Sequence, residues 1–121
     1  MIRGLKFVSI PVRNQDASLK FFTEKLGFKV GTDQPFSDKQ RWIELLIPGA
    51  ETGIVLFTPD GHENRIGDFQ PLSFWSDDVF ATAKSLKSKG VQFAAEPKKE
   101  SWGTSAIFQD PDGNKFVLSS K

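Results

Sequence analysis

Residues Val12–Phe28 read VRNQDASLKFFTEKLGF, and the fold follows from this stretch. Asn14 is an N-cap residue, able to accept a hydrogen bond from a free N–H of the first helical turn. Leu19, Phe22 and Leu26 recur at helical spacing and predict an amphipathic helix. Gly27 stops it, because glycine tolerates the left-handed conformation that ends helices. About one half-chain later the arrangement returns. Asp77 or Asp78 caps a second helix, Val79, Ala83 and Leu86 form its apolar stripe, and Gly90 ends it. Asn14 precedes Asp78 by 64 residues, Gly27 precedes Gly90 by 63, and Leu56 precedes Leu118 by 62. So regular an offset indicates a doubled unit.

Strands fill the remainder of each repeat. Leu5–Val12, Phe28–Gln34, Arg41–Ile47 and Gly53–Thr58 read as strands in the first half, with a loop at Pro35–Lys39 and a turn at Pro48-Gly49. Pro59–Asp68 holds two glycines, a proline and several charged residues, and reads as a surface linker. Pro71–Ser76, Val91–Ala95, Gly103–Gln109 and Lys115–Ser119 are the strands of the second half. The turn sequence Asp110-Pro111-Asp112-Gly113-Asn114 joins the last two. The order is βαβββ, linker, βαβββ, an α+β chain. A ferredoxin-like βαββαβ domain would set two strands between its helices; this sequence sets four.

Alternation then divides the strand residues. Val8 and Ile10, Ile43 and Leu45, Ile54 and Leu56, Leu72 and Phe74, and Phe116 and Leu118 occupy one phase, which must cover the helices. A slip of one residue would expose the whole set. The other phase mixes aromatic and small polar side chains: Phe7, Ser9, Trp42, Glu44, Val55, Phe57, Ser73, Trp75 and Val117. Aromatic walls with a few polar groups suit a small-molecule site. Each Trp is equally readable as core packing. Glu44 is a candidate acid/base or ligand-holding carboxylate; the plainer reading is a rim residue, or one paired with Arg41 or Arg13.

Composition narrows the chemistry. The 121 residues carry a net charge of +1, without the basic excess of a nucleic-acid binder. There is no cysteine, hence no thiolate nucleophile, disulfide or Cys-type metal site, and no tyrosine to supply a phenol. His62 is the one histidine. It sits in Asp60-Gly61-His62-Glu63, where a solvated loop residue is the plain reading and a general base oriented by Glu63 or Asp60 the sharper one. Ser9, Ser73 and Ser119 lack a histidine partner for nucleophilic catalysis. Lys84, Lys87 and Lys89 read as a solvated helix face. No stretch has the length or apolarity of a signal peptide or membrane span, so a cytoplasmic location and no membrane partner are expected.

Several motifs taken in order resemble a known family. Val12-Arg13-Asn14 … Ser18-Leu19-Lys20-Phe21-Phe22 … Leu26-Gly27-Phe28 is similar to the first-helix signature of the vicinal oxygen chelate superfamily. That group includes glyoxalase I, the bleomycin-resistance proteins and the extradiol dioxygenases. Asp78-Val79 … Leu86 … Gly90-Val91 resembles its second-helix signature. Trp102-Gly103, Phe108 and Asp110–Asn114 resemble its closing hairpin. The usual capping Asp is Asn14 here, and the usual Phe-Tyr pair is Phe21-Phe22.

The resemblance implies one glyoxalase-like domain over residues 1–121, with repeat one at 4–58, the linker at 59–68 and repeat two at 69–121. It implies rolled mixed sheets forming a cup, helices outside, and a homodimer. It places Trp102 where the family closes its pocket. It also implies four metal-ligand positions, which fall on Phe7, Val55, Pro71 and Val117. None of these side chains binds a divalent cation. The expectation is therefore a metal-independent binder of a small aromatic or mixed polar ligand, with no cofactor. A metal-free lyase or isomerase using Glu44, and a regulatory or structural dimer without ligand, are the alternatives. Near-neutral charge argues against a trap for strongly cationic drugs.

Overall fold

The computed structural model describes all 121 residues, which divide into two compact units, Met1–Ile66 and Gly67–Lys121. The first unit contains β1 (Phe7–Pro11), α1 (Gln15–Lys20) continuing into a π-helical turn (Phe21–Lys25), β2 (Lys29–Ser37), β3 (Gln40–Leu46), β4 (Gly53–Phe57) and a 3₁₀ turn (Glu63–Arg65). The second contains β5 (Phe69–Trp75), α2 (Val79–Ser88), β6 (Gln92–Glu100), β7 (Gly103–Gln109) and β8 (Lys115–Ser119). Each unit is one βαβββ repeat. The first sheet has the order β1-β4-β3-β2 and the second β5-β8-β7-β6. The first and last strands of each unit run parallel, and the others pair antiparallel.

The caps act as their sequence suggests. Asn14 Oδ1 accepts the Ala17 N–H at 3.0 Å, and Asp78 Oδ1 accepts the Ala81 N–H at 3.0 Å. Gly27 and Gly90 take φ of 79° and 89°, where a side chain would be strained. Most of the expected buried phase is buried, namely Ile10, Ile43, Leu45, Ile54, Leu56, Phe116 and Leu118, while Val8, Leu72 and Phe74 of the same set stay half-exposed. In unit two, Phe108 packs against Phe74, Phe93 and Phe116, with ring centroids 5.5 to 6.1 Å apart.

Three local expectations are corrected. The first helix does not hold one stripe of Leu19, Phe22 and Leu26. The π-helical turn inserts a residue, so Phe21 and Phe22 are both buried, in edge-to-face contact at 5.2 Å, while Leu19 and Leu26 stay half-exposed. The Pro35–Lys39 loop is mostly strand, since β2 pairs with β3 as far as Ser37. The strand expected at Val91–Ala95 runs instead from Gln92 to Glu100, through Pro97. Both prolines lie on edge strands, where a missing N–H need not break a ladder.

Candidate functional site

In unit one the face of the sheet away from the buried aliphatics is built row by row. Ser9 stands beside Val55, Val55 beside Glu44, and Glu44 beside Thr32. Two residues along, Phe57 on β4 and Trp42 on β3 share that phase. Phe7 and Trp42 lie on strands separated by β4, yet their rings meet edge to face, centroids 5.6 Å apart. Val55 is covered, only 2% exposed, while Phe7, Trp42, Glu44 and Phe57 are half-buried. Phe36 on β2 adds a further ring, 5.9 Å from Trp42 and itself 67% exposed.

Glu44 is the one carboxylate on this phase of the four strands, and it makes no hydrogen bond or ion pair. Its Oε2 lies 3.5 Å from where a Cβ would stand at Gly53, an ordinary contact distance; the close approach that requires glycine there is to the Leu45 carbonyl, at 2.9 Å. The pairing with Arg41 or Arg13 does not occur. Arg41 alternates with Trp42 and belongs to the other phase. There its guanidinium bonds Asp16 at 2.7 Å and Asp33 at 3.0 Å, and both carboxylates raise its pKa.

The corresponding face of unit two is different in chemistry. Ser73 stands beside Val117, and Val117 beside Ile107, so Ile107 takes the place that Glu44 has in unit one. Ser73 Oγ and Ser119 Oγ are hydrogen-bonded at 3.0 Å. Trp75 is 55% exposed, with Lys121 Nζ 4.8 Å from its ring centroid. Trp102 is in the β6–β7 turn, 69% exposed. Unit two therefore presents hydroxyl and ammonium groups where unit one presents a carboxylate among rings.

The residues at the four family metal positions do not fit a divalent cation. Phe7, Val55 and Val117 carry no lone-pair donor. Pro71 falls where the β5–β8 pairing is irregular and also has none. The neighbouring Ser73 and Ser119 hydroxyls are bonded to each other. His62, before the 3₁₀ turn, is exposed. Beside it, Glu63 is held below the usual carboxylate range, chiefly by its own backbone N–H and then that of Gly61.

A cavity of about 580 Å³ opens elsewhere in unit one. Val12 and Ile66 contribute apolar surface to it, and Arg13, Lys39, Asp60 and Glu63 contribute charge of both signs. No aromatic side chain lines it, and it shares no residue with the Trp42–Glu44 face. It offers no stacking surface, so the aromatic face is the stronger candidate for an organic ligand. Two members of that face's surroundings are invisible to strand parity in the sequence. Phe36 falls in an expected loop, and Arg65, in the expected linker, lies 5.4 Å over the Phe57 ring.

Known proteins agree with this architecture. The uncharacterized protein YetH of Bacillus subtilis (strain 168) is 34% identical over 118 residues, 98% of each chain. A crystal structure of a glyoxalase/bleomycin resistance protein/dioxygenase superfamily member from Sphaerobacter thermophilus DSM 20745 superimposes with a TM-score of 0.89. It is 29% identical, with 99% of this chain and 98% of that one covered. TnmS3, an antibiotic-binding protein from Streptomyces sp. CB03234, gives a TM-score of 0.85 at 33% identity, covering 98% and 96% of the two chains. With residues 4–118 also matching its family profile, the chain belongs to the Glyoxalase/Bleomycin resistance protein/Dioxygenase superfamily.

Proposed function

We propose that this protein binds a small, largely aromatic molecule on the Trp42–Glu44 face of its first unit, without metal and without converting it. The observation that carries the reading is Glu44 itself: a half-buried carboxylate, unpartnered, among Phe7, Trp42 and Val55. Removing a carboxylate from water without a partner is unfavourable. A ligand donor that bonds it recovers that cost, and the rings supply stacking area. The antibiotic-binding relative supports a trap over a catalyst. Donorless residues at Phe7, Val55, Pro71 and Val117 support metal independence. The near-neutral chain favours an uncharged or mixed ligand over a strongly cationic one. The same free carboxylate supports a second reading, a metal-free lyase or isomerase with Glu44 as acid/base.

Mass spectrometry of what co-purifies with the untagged protein identifies the ligand, and incubation separates the readings. A trap returns its ligand intact and is stabilised by it; an enzyme consumes it; a structural dimer carries none. A chain that binds no aromatic molecule in a thermal-shift screen would contradict the proposal. We also propose a symmetric homodimer, supported by large apolar side chains left exposed, among them Leu46 and Phe69. Sedimentation should give twice the 13.5 kDa chain mass; a monomer would refute it.

A further inference from the structure

The cavity of about 580 Å³ in unit one has a base and two walls of different chemistry. Val12, Pro59 and Ile66 line it although each is buried, so they form an aliphatic base. Lys39, in the turn between β2 and β3, belongs to one wall. Thr58 and Asp60, just after β4, belong to the other. One hydrogen bond ties the walls together: the Thr58 N–H donates to Gln40 Oε1 at 2.7 Å.

Several groups along this seam are left over. Lys39 and Asp60 line the same cavity yet make no ion pair, with each other or with any other residue. Gln40 uses its oxygen on Thr58, so its Nε2 keeps two N–H bonds without a partner, and the Thr58 hydroxyl has none either. Glu63 accepts the Gly61 N–H at 3.2 Å, and Arg13 is already engaged within the chain. The cavity therefore offers an ammonium on one wall, a carboxylate on the other, an amide and a hydroxyl between them, and an aliphatic base. Its volume lies within the usual range of small-molecule sites.

We propose that this cavity is a second binding site, and that its ligand class is a short aliphatic peptide with both ends free. Asp60 takes the ammonium end and Lys39 the carboxylate end. Gln40 Nε2 donates to the peptide carbonyl between them, and the aliphatic side chains cover Val12, Pro59 and Ile66. A free amino acid carries both charges on one carbon and has no amide to meet the Gln40–Thr58 seam. The site has no residue in common with the Trp42–Glu44 face and does not depend on the role proposed for that face.

Isothermal titration with leucyl-leucine, N-acetyl-leucyl-leucine, leucyl-leucinamide and glycyl-glycine tests it. Removing either terminal charge should raise the Kd about three- to fivefold, the scale of an exposed ion pair. Glycyl-glycine should bind at least about tenfold more weakly, because it covers none of the aliphatic base. Asp60→Asn should abolish the difference between leucyl-leucine and its acetylated form while keeping the preference over the amide. Lys39→Ala should do the reverse. Asp38→Asn, on the same turn as Lys39, should leave both differences within about twofold. If leucyl-leucine shows no saturable binding, or glycyl-glycine binds as tightly, the site is overturned. If the differences between the leucyl probes persist in Asp60→Asn and Lys39→Ala, or vanish in Asp38→Asn, the assignment of the two ends is overturned.

Discussion

Gln15 and Arg41 clasp each other through two hydrogen bonds: Gln15 Nε2 donates to the Arg41 carbonyl at 2.8 Å, and the Arg41 N–H donates to Gln15 Oε1 at 3.0 Å. The same Nε2 also donates to the Leu56 carbonyl at 2.9 Å. One buried amide at the start of α1 thus ties the helix to β3 and β4. Arg41 immediately precedes Trp42, so the clasp holds the strand that presents Trp42 and Glu44.

Replacing Gln15 by Leu leaves those backbone groups without their partners. The chain should lose about 2–3 kcal/mol of stability, on the scale of buried polar groups left unsatisfied. Urea unfolding measures this. A loss below about 0.5 kcal/mol, the range of an inert surface change, would show that the clasp is not a structural tie.

Asp110 makes unit two sensitive to pH. Burial pushes its carboxyl up from 3.8 to about 6, helped by the neighbouring Asp112 charge and opposed by hydrogen bonds from Asn114 and the Asp112 N–H. The folded state therefore holds the proton more tightly than the unfolded chain. The stabilisation is full below 3.8 and is lost as pH rises through about 6. In Asp110→Asn this component is absent. Wild type should gain on the variant by about 2 kcal/mol between pH of about 7.5 and about 4.5. Parallel stability profiles would contradict the shift.

The doubled βαβββ plan was legible because each of its markers acts locally. Asn14 and Asp78 cap, Gly27 and Gly90 stop, and strand alternation sorts Ile43 and Leu45 from Trp42 and Glu44. What the sequence hid depends on tertiary context. The π-helical turn that buries both Phe21 and Phe22 has no periodic signature. Pro35 and Pro97 signal loops, yet at a sheet edge each is accommodated within a strand. Of the residues around the site, Trp42 and Glu44 follow from parity. Arg65 does not, because its position over Phe57 belongs to a connecting turn whose path only the folded chain reveals.

Metal should be dispensable. Phe7, Val55, Pro71 and Val117 offer no ligand atoms, and no group of three or more His, Asp or Glu is placed to hold an ion. Elemental analysis of the untagged protein should find far less than one divalent ion per chain, and a chelator should leave Tm unchanged. A stoichiometric ion that survives dialysis would contradict this.

The most direct test of the binding face uses the three indole N–H signals of Trp42, Trp75 and Trp102, assigned by Trp→Phe substitution in ¹H–¹⁵N spectra. Titration with 2-naphthylamine should move the Trp42 signal saturably, and Glu44→Gln should weaken that binding by about 1–3 kcal/mol, the scale of a charged hydrogen bond. Movement confined to Trp75 or Trp102, or an unchanged affinity in Glu44→Gln, would contradict the assignment of the ligand to the Trp42–Glu44 face.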